Sequence, residues 1–280
     1  MREKRDSPLS ISYYPRNQHG GAVQADGITS ANTVGYSGQS VVAGQFYMVA
    51  VQFADVGAAT DVANFNNFFA TTCAPGEYGD GSDGTMANAP QIQVLNSDGA
   101  TYTKYFYISD AYDSNDTPVS GNCWADDNGY IVTAGDVIAL SKGFWFKAMA
   151  AGTITASGQV SATSEIGNSP TANQFNIVAN PYPVALGLNS AETASFTPGE
   201  YGDGSDGTMA NAPQVQVLNS DGATYTKFYY INDAYDSNDN PVSGNCWADD
   251  NGYIATGTQV PVGQSFWVKS ASAGTFTFSL

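Results

Sequence analysis

The chain has 280 residues, 42% of them hydrophobic and 12% aromatic, which is material for one large domain or two of ordinary size. Only 12% are charged, 26 acidic against 9 basic, for a net charge of −17. So acidic a chain repels phosphates and anionic lipid, which sets aside nucleic acid and anionic membranes as partners.

The first residues, MREKRDSPLSISYYPRNQHGG, hold Arg2, Lys4, Arg5, Arg16 and His19. A basic start suits a signal peptide, but no apolar run of about 7–15 residues comes after it. The stretch AVQADG still places small residues where a cleavage after Ala25 needs them. Two readings stand for residues 1–26: a leader without its hydrophobic part, or a disordered or strand-swapped arm. The longest apolar stretch, residues 41–53, is broken by Gly44 and Gln45. It falls short of the roughly 18 residues a membrane helix needs, so the chain is read as not transmembrane. From Asp26 onward there is no arginine or histidine, and the bases are Lys104, Lys142, Lys147, Lys227 and Lys269. A histidine-dependent triad and His-ligated zinc or iron are thereby excluded from the body.

Self-similarity dominates the rest of the chain. Residues 75–131 and 198–254 align with five differences in 57 positions: Ile92/Val215, Tyr105/Phe228, Phe106/Tyr229, Ser109/Asn232 and Thr117/Asn240. The flanks match more loosely, GFWFKAMAAGTITASG (143–158) with SFWVKSASAGTFTFSL (265–280), and QFYMVAVQF (45–53) with QFNIVANPY (174–182). The organisation expected is a leader or arm over 1–26, a β domain over 27–159 and its duplicate over 160–280.

Within each copy the pattern is β. QIQVLNSDGATYTKYFYI (91–108) reads as two strands around a Ser-Asp-Gly turn, with Ile92 and Val94 alternating against polar neighbours. One helix is expected at DVANFNNFFA (61–70), where Val62, Phe65, Phe68 and Phe69 recur at helical spacing; the second copy shortens this region to ALGLNSAET. Short strands and frequent glycine turns give an all-β fold class: two tandem antiparallel β-sandwich or barrel-like domains.

The acidic loops are the first candidate site. GEYGDGSDGTMANAP occurs unchanged at 76–90 and 199–213. It carries Glu77, Asp80 and Asp83; SDAYDSND adds Asp110, Asp113 and Asp116, and WADDNG adds Asp126 and Asp127. The second copy repeats the set at Asp203, Asp206, Asp233, Asp236 and Asp249. Carboxylates on flexible turns are what calcium takes, so Asp80, Asp83, Asp110, Asp113, Asp126, Asp203, Asp206, Asp233, Asp236 and Asp249 are candidate calcium ligands. The spacing matches neither an EF-hand nor a Gly-rich nonapeptide β-roll, and the alternative is that the same residues cap turns through their own backbone.

Paired acids could also serve a glycosidase, but here they lie in turns, and the expectation is that the chain is not an enzyme. A second candidate is an aromatic row: Tyr102, Tyr105, Phe106, Tyr107, Tyr112, Trp124, Tyr130, Phe144 and Trp145. It either stacks on sugar rings or fills a sandwich core. The cysteines are Cys73, Cys123 and Cys246, the last two at equivalent positions. A Cys73–Cys123 bridge would leave Cys246 free or intermolecular; three reduced buried thiols are the alternative.

The ends suggest an assembly. GTFTFSL stops where the first copy runs on into the next strand, and a segment of the missing kind, ITSANTVGY, lies at 28–36. A neighbouring molecule's N-terminal strand could pair there, and a head-to-tail contact that does not close builds a filament. Alternatively, the chain is a monomer with a ragged arm.

Taken together, ITSANTVGY, AGQFYMVAVQF, APQIQVLNSDGATYTKYFYI, GDVIALSKGFWFKA and TITASGQV resemble uncharacterised secreted bacterial β-rich repeat proteins. Those proteins carry an NTVGY-like strand after a signal peptide and a GFWFK-type strand near the end. The resemblance covers most of 27–160 and the second copy more loosely from about 174, and NPYP (180–183) is similar to a turn common in secreted surface repeats. It implies export and a β-rich fold, with no catalytic residues to transfer. The expected function is an extracellular structural protein that self-assembles head to tail into a filament or surface layer, with copies of itself as partners and calcium stiffening its loops. The alternative is a carbohydrate- or surface-binding adhesion module with surface glycans as partners.

Overall fold

The computed structural model describes residues 34–56, 61–79, 86–133, 136–163, 165–189, 192–202, 209, 211–257, 259–260 and 262–279. The first half contains β1 (Val34–Val41), β2 (Phe46–Ala50), β3 (Val62–Asn64), α1 (Phe65–Phe68), β4 (Phe69–Thr71), β5 (Gln91–Leu95), β6 (Tyr102–Ile108), β7 (Cys123–Ala125), β8 (Val137–Ala139), β9 (Gly143–Lys147) and β10 (Gly152–Gln159). The second half runs β11 (Glu165–Asn168), β12 (Phe175–Ala179), β13 (Leu186–Gly187), β14 (Glu192–Ala194), β15 (Gln214–Leu218), β16 (Tyr225–Ile231), β17 (Cys246–Ala248), β18 (Gln259–Val260), β19 (Ser265–Lys269) and β20 (Phe276–Ser279).

The fold is all-β, and its ladders are antiparallel. Each half builds one five-stranded sheet, β2-β9-β5-β6-β7 or β12-β19-β15-β16-β17. Each also builds one three-stranded sheet, β1-β10-β4 or β11-β20-β14, and a two-stranded ribbon. Every ladder between named strands stays on one side of the 159/160 boundary. Alternation along the strands sets the layers. Phe144 and Phe146 of β9 and Ile92 of β5 are buried with Ile154 and Ala156 of β10 and Phe69 of β4 in one core. The same cluster continues through Val178, Phe266, Phe276 and Phe278, so one hydrophobic core takes in both halves.

The halves meet about a pseudo-twofold axis. Val49 bridges Gln264, and the equivalent pair, Val178 and Lys142, bridges likewise. The N–H of Ala50 donates to the Gly263 carbonyl at 2.9 Å; that of Ala179, its counterpart, donates to the Ser141 carbonyl at 2.8 Å. A self-complementary cluster sits on the axis: Met48 with Ile177, Leu95 with Leu218, Tyr102 with Tyr225 and Trp145 with Trp267. The two tryptophan rings lie 6.2 Å apart. Only glycine fits at Gly143, where a Cβ would fall 2.2 Å from that of Ser265.

Two expectations are corrected by the fold. The helix over 61–70 shrinks to the four-residue α1, flanked by β3 and β4. Asn64 caps the turn by accepting the Asn66 N–H at 2.9 Å. Asn66 is drawn away to Trp124, its Oδ1 accepting that backbone N–H at 2.7 Å and its Nδ2 donating to the carbonyl at 3.0 Å. The phenylalanines owe their spacing to a strand–turn–strand that buries Phe65, Phe68 and Phe69 together. The open edge expected at the C-terminal strand is also absent: β20 is paired on one side by β11 and on the other by β14 of its own chain. Residues 28–33 of the segment expected to complete it lie outside the described residues.

Candidate functional site

The near-identical block builds the same surface in each half. Gly76 pairs with Ile108 and comes so close to Ala89 that a Cβ there would lie 2.7 Å from the alanine's Cβ; Gly199 repeats this against Ala212 at 2.6 Å. That approach carries the chain out to Tyr78, whose N–H donates to Asp110 Oδ1 at 2.8 Å, as Tyr201 does to Asp233 at 2.9 Å. The Tyr78 ring lies on Gly129 and the Tyr201 ring on Gly252. Next to Gly129, Tyr130 donates its hydroxyl to Asp116 Oδ1 at 2.6 Å, matched by Tyr253 and Asp239 at 2.6 Å. Tyr112 is the bridge partner of Tyr130, as Tyr235 is of Tyr253.

Three tyrosines thus stand together and open to solvent in each half. Tyr78, Tyr112 and Tyr130 are 47%, 37% and 38% exposed, and Tyr201, Tyr235 and Tyr253 are 47%, 39% and 38%. The Asp116 carboxylate, by accepting the Tyr130 hydroxyl, raises that phenol above its ordinary range, and Asp239 does the same to Tyr253. Tyr130 and Tyr253 are thereby held in their neutral, hydroxyl-bearing form.

The acids beneath them cap turns. Asp113 Oδ1 accepts the N–H groups of Asn115 at 2.8 Å and Thr117 at 2.9 Å. Those bonds, that of Thr117 foremost, hold its carboxyl below the usual range. Asp236 is lowered likewise, chiefly by the backbone of Asn240. Asp126 accepts from Asn128 and Tyr130, both at 2.9 Å, and Asp249 from Asn251 and Tyr253, both at 2.9 Å. Of the candidate calcium ligands, Asp80, Asp83, Asp203 and Asp206 lie outside the described residues. Among the described residues no three of histidine, cysteine, aspartate and glutamate converge as a metal would require.

The aromatic row divides. Trp124, Phe106 and Phe144 are core residues, and Trp145 is half-buried on the axis. Tyr112 and Tyr130 alone of the row stand exposed, and Tyr78, set among glycines in the sequence, joins them. Its ring contact with Gly129 depends on a fold-back across some fifty residues, which no local spacing reveals.

The Cys73–Cys123 bridge is not formed. Cys73 is a free, buried thiol near the Ala150 carbonyl (3.4 Å), in the main core, whereas Cys123 is free and buried in a separate cluster with Met86, Ile108 and Ala111. Cys246 is free and buried in the matching cluster with Met209, Ile231 and Ala234, so a bond to another molecule would require β17 to open. Burial raises the Cys123 and Cys246 thiols, which keeps them protonated and unreactive.

No helix among the described residues is long and apolar enough to cross a membrane. Compared with models of protein families, with curated proteins and with solved structures, the chain matches none.

Proposed function

We propose that the chain is an exported adhesion module that binds surface glycans through its two tyrosine faces. The observation that carries this reading is the paired presentation of the tyrosines. In both halves one ring is tied by its hydroxyl to an aspartate, a second lies against a glycine, the third is placed by its backbone bridge, and all three are left open to nearly the same extent. A tyrosine ring stacks on the apolar face of a sugar, and its hydroxyl oxygen and the neighbouring carboxylates accept from the hydroxyls at the sugar's rim. Two such faces on one chain also gain by multivalency, since the second contact becomes intramolecular once the first is made.

The test is retention on immobilised neutral polysaccharides of the unmodified protein, of Y112A, of Y235A and of the double variant. Each single variant is expected to weaken retention about tenfold, a loss of about 1.4 kcal/mol, and the double variant to weaken it further than either. Retention of the double variant at the unmodified level would defeat the reading.

A second reading, self-assembly by strand addition, is favoured by β1. This strand pairs β10 along all eight residues, stands at an edge of its sheet among the described residues, and presents Val34 and Tyr36 at 60% and 57% exposure. No charged residue interrupts it, and a long uncharged edge is a template for another strand. On this reading the contact is made at β1. Electron microscopy of the unmodified protein is expected to give fibres or sheets that S37K/Q39K loses, the lysines disfavouring edge pairing. Single particles from both would remove it.

A further inference from the structure

The pseudo-twofold axis has two flanks, and the chain treats them differently. On one flank Gln174 lies over the turn at Gly99, where a Cβ would fall 2.5 Å from its Oε1. Asn168 Nδ2 donates across the half-boundary to the Ser141 carbonyl at 3.2 Å. On the other flank, at the equivalent turn between β15 and β16, no atom of the described residues lies within 4 Å of where a Cβ on Gly222 would fall. The counterparts of the covering side chains, Gln45 and Gln39, are both exposed there. A cleft of about 410 Å³ results, bounded by β1, β2 and that turn.

One substitution between the repeats accounts for much of the difference. In the second half Asn176 caps the preceding loop, its Oδ1 accepting the Thr171 N–H at 3.0 Å, and leaves Gln174 free to cover the turn. In the first half the same place is taken by Tyr47. Its hydroxyl accepts the Val42 N–H at 2.6 Å and donates to Gln45 Oε1 at 3.0 Å. Gln45 is thus held by the tyrosine at the rim.

The chemistry of the lining is distinct from that of the rest of the surface. In a chain of net charge −17, none of the described residues lining this cleft is charged. The one acid of the bordering turn, Asp221, is turned back, accepting the Ala223 and Thr224 N–H groups at 2.9 Å each. What remains is amide and hydroxyl from Gln39, Gln45, Gln264 and Ser220, with Gln264 Nε2 also donating to the Leu218 carbonyl at 2.9 Å, beside Tyr47 and the Phe46 ring, over which Lys147 Nζ lies 5.6 Å from the centroid. Amides that both donate and accept, next to partly exposed aromatic side chains in a lining without charged residues, match a ligand rich in hydroxyls and without charge. We propose that this cleft binds the end of a neutral glycan chain, as a site separate from the tyrosine faces. The proposal rests on the glycan-binding reading of those faces and adds to it a single, asymmetric site per chain.

The experiment titrates the full chain with neutral glucan, mannan and chitin oligosaccharides, and with an anionic uronate oligosaccharide, following the side-chain amide NMR signals of Gln39, Gln45 and Gln264. Y47N, which copies the second half and frees Gln45 to cover Gly222, and Y112A/Y235A are titrated in parallel. Supporting results are saturable shifts of these amides with a neutral oligosaccharide, an affinity at least tenfold lower in Y47N, and the same amide shifts in Y112A/Y235A. Binding that moves the tyrosine-face signals but leaves the three amides unmoved would overturn the cleft while leaving the tyrosine faces standing. Shifts only with anionic oligosaccharides would overturn its neutrality, and no binding by any of them would overturn both readings. Because the titration of the unmodified protein decides alone, a Y47N chain that failed to fold would not rescue the proposal.

Discussion

A methyl group is enough to probe how a tyrosine face is held. Gly129 has φ +81° and would place a Cβ 2.7 Å from Tyr78 Cδ2, whereas Gly121, at φ +90°, has nothing within 4 Å of its Cβ. Both positions penalise an L-residue for its left-handed backbone, by about 1–2 kcal/mol. G121A is expected to lose that and no more in urea denaturation. G129A is expected to lose more, because the ring must also move, and to show a displaced Tyr78 resonance. Equal losses in the two variants would mean that Gly129 does not support the ring. The same pair of residues, Gly252 and Gly244, offers the comparison again in the second half. Part of the Gly/Asp-rich loop repeated without change thus has a steric account: its Gly76 admits Ala89 where a side chain would not fit, and Gly129, from another loop, admits its Tyr78.

Between the two halves, equivalent strands carry unequal bonds. The indole N–H of Trp124 in β7 donates to the Phe69 carbonyl of β4 at 3.1 Å, while the indole N–H of Trp247 in β17 is buried and makes no bond to the described residues. W124F strands a carbonyl as well as opening a small void, whereas W247F removes an unsatisfied donor. The first is expected to cost about 1–3 kcal/mol more than the second in thermal or denaturant unfolding. Equal costs would show the two indoles to be equivalently placed. Much at this scale was legible in the sequence. The β5–β6 hairpin declared itself through Ile92 and Val94 and the Ser-Asp-Gly turn, and the antiparallel sheets followed from short alternating runs. The helix over 61–70 misled because three phenylalanines at helical spacing are also what a strand–turn–strand delivers to a core, and the side chain that decides, Asn66, finds its partner in a distant strand. The open edge of β20 misled for a related reason, since pairing with β11 and β14 depends on how the second half closes on itself. Of the site, the acids and two of its tyrosines were visible, and the third became so only through Gly129.

At the scale of the whole molecule the two halves share one core and reciprocal hydrogen bonds, so they are expected to unfold together. Scanning calorimetry should give a single transition whose calorimetric and van't Hoff enthalpies agree. Two resolved transitions would show that the axis is a weak contact between independent units. The contact across that axis has the reciprocity of a symmetric dimer, yet it lies within one polypeptide. In a dimer of identical chains every inherited change appears twice, on both flanks at once. Here Tyr47 and Asn176 occupy matched places and differ, so a mutation alters one flank and spares the other. Joining the halves in one gene allows a pocket to arise on one side while its mirror position remains sealed as part of the scaffold.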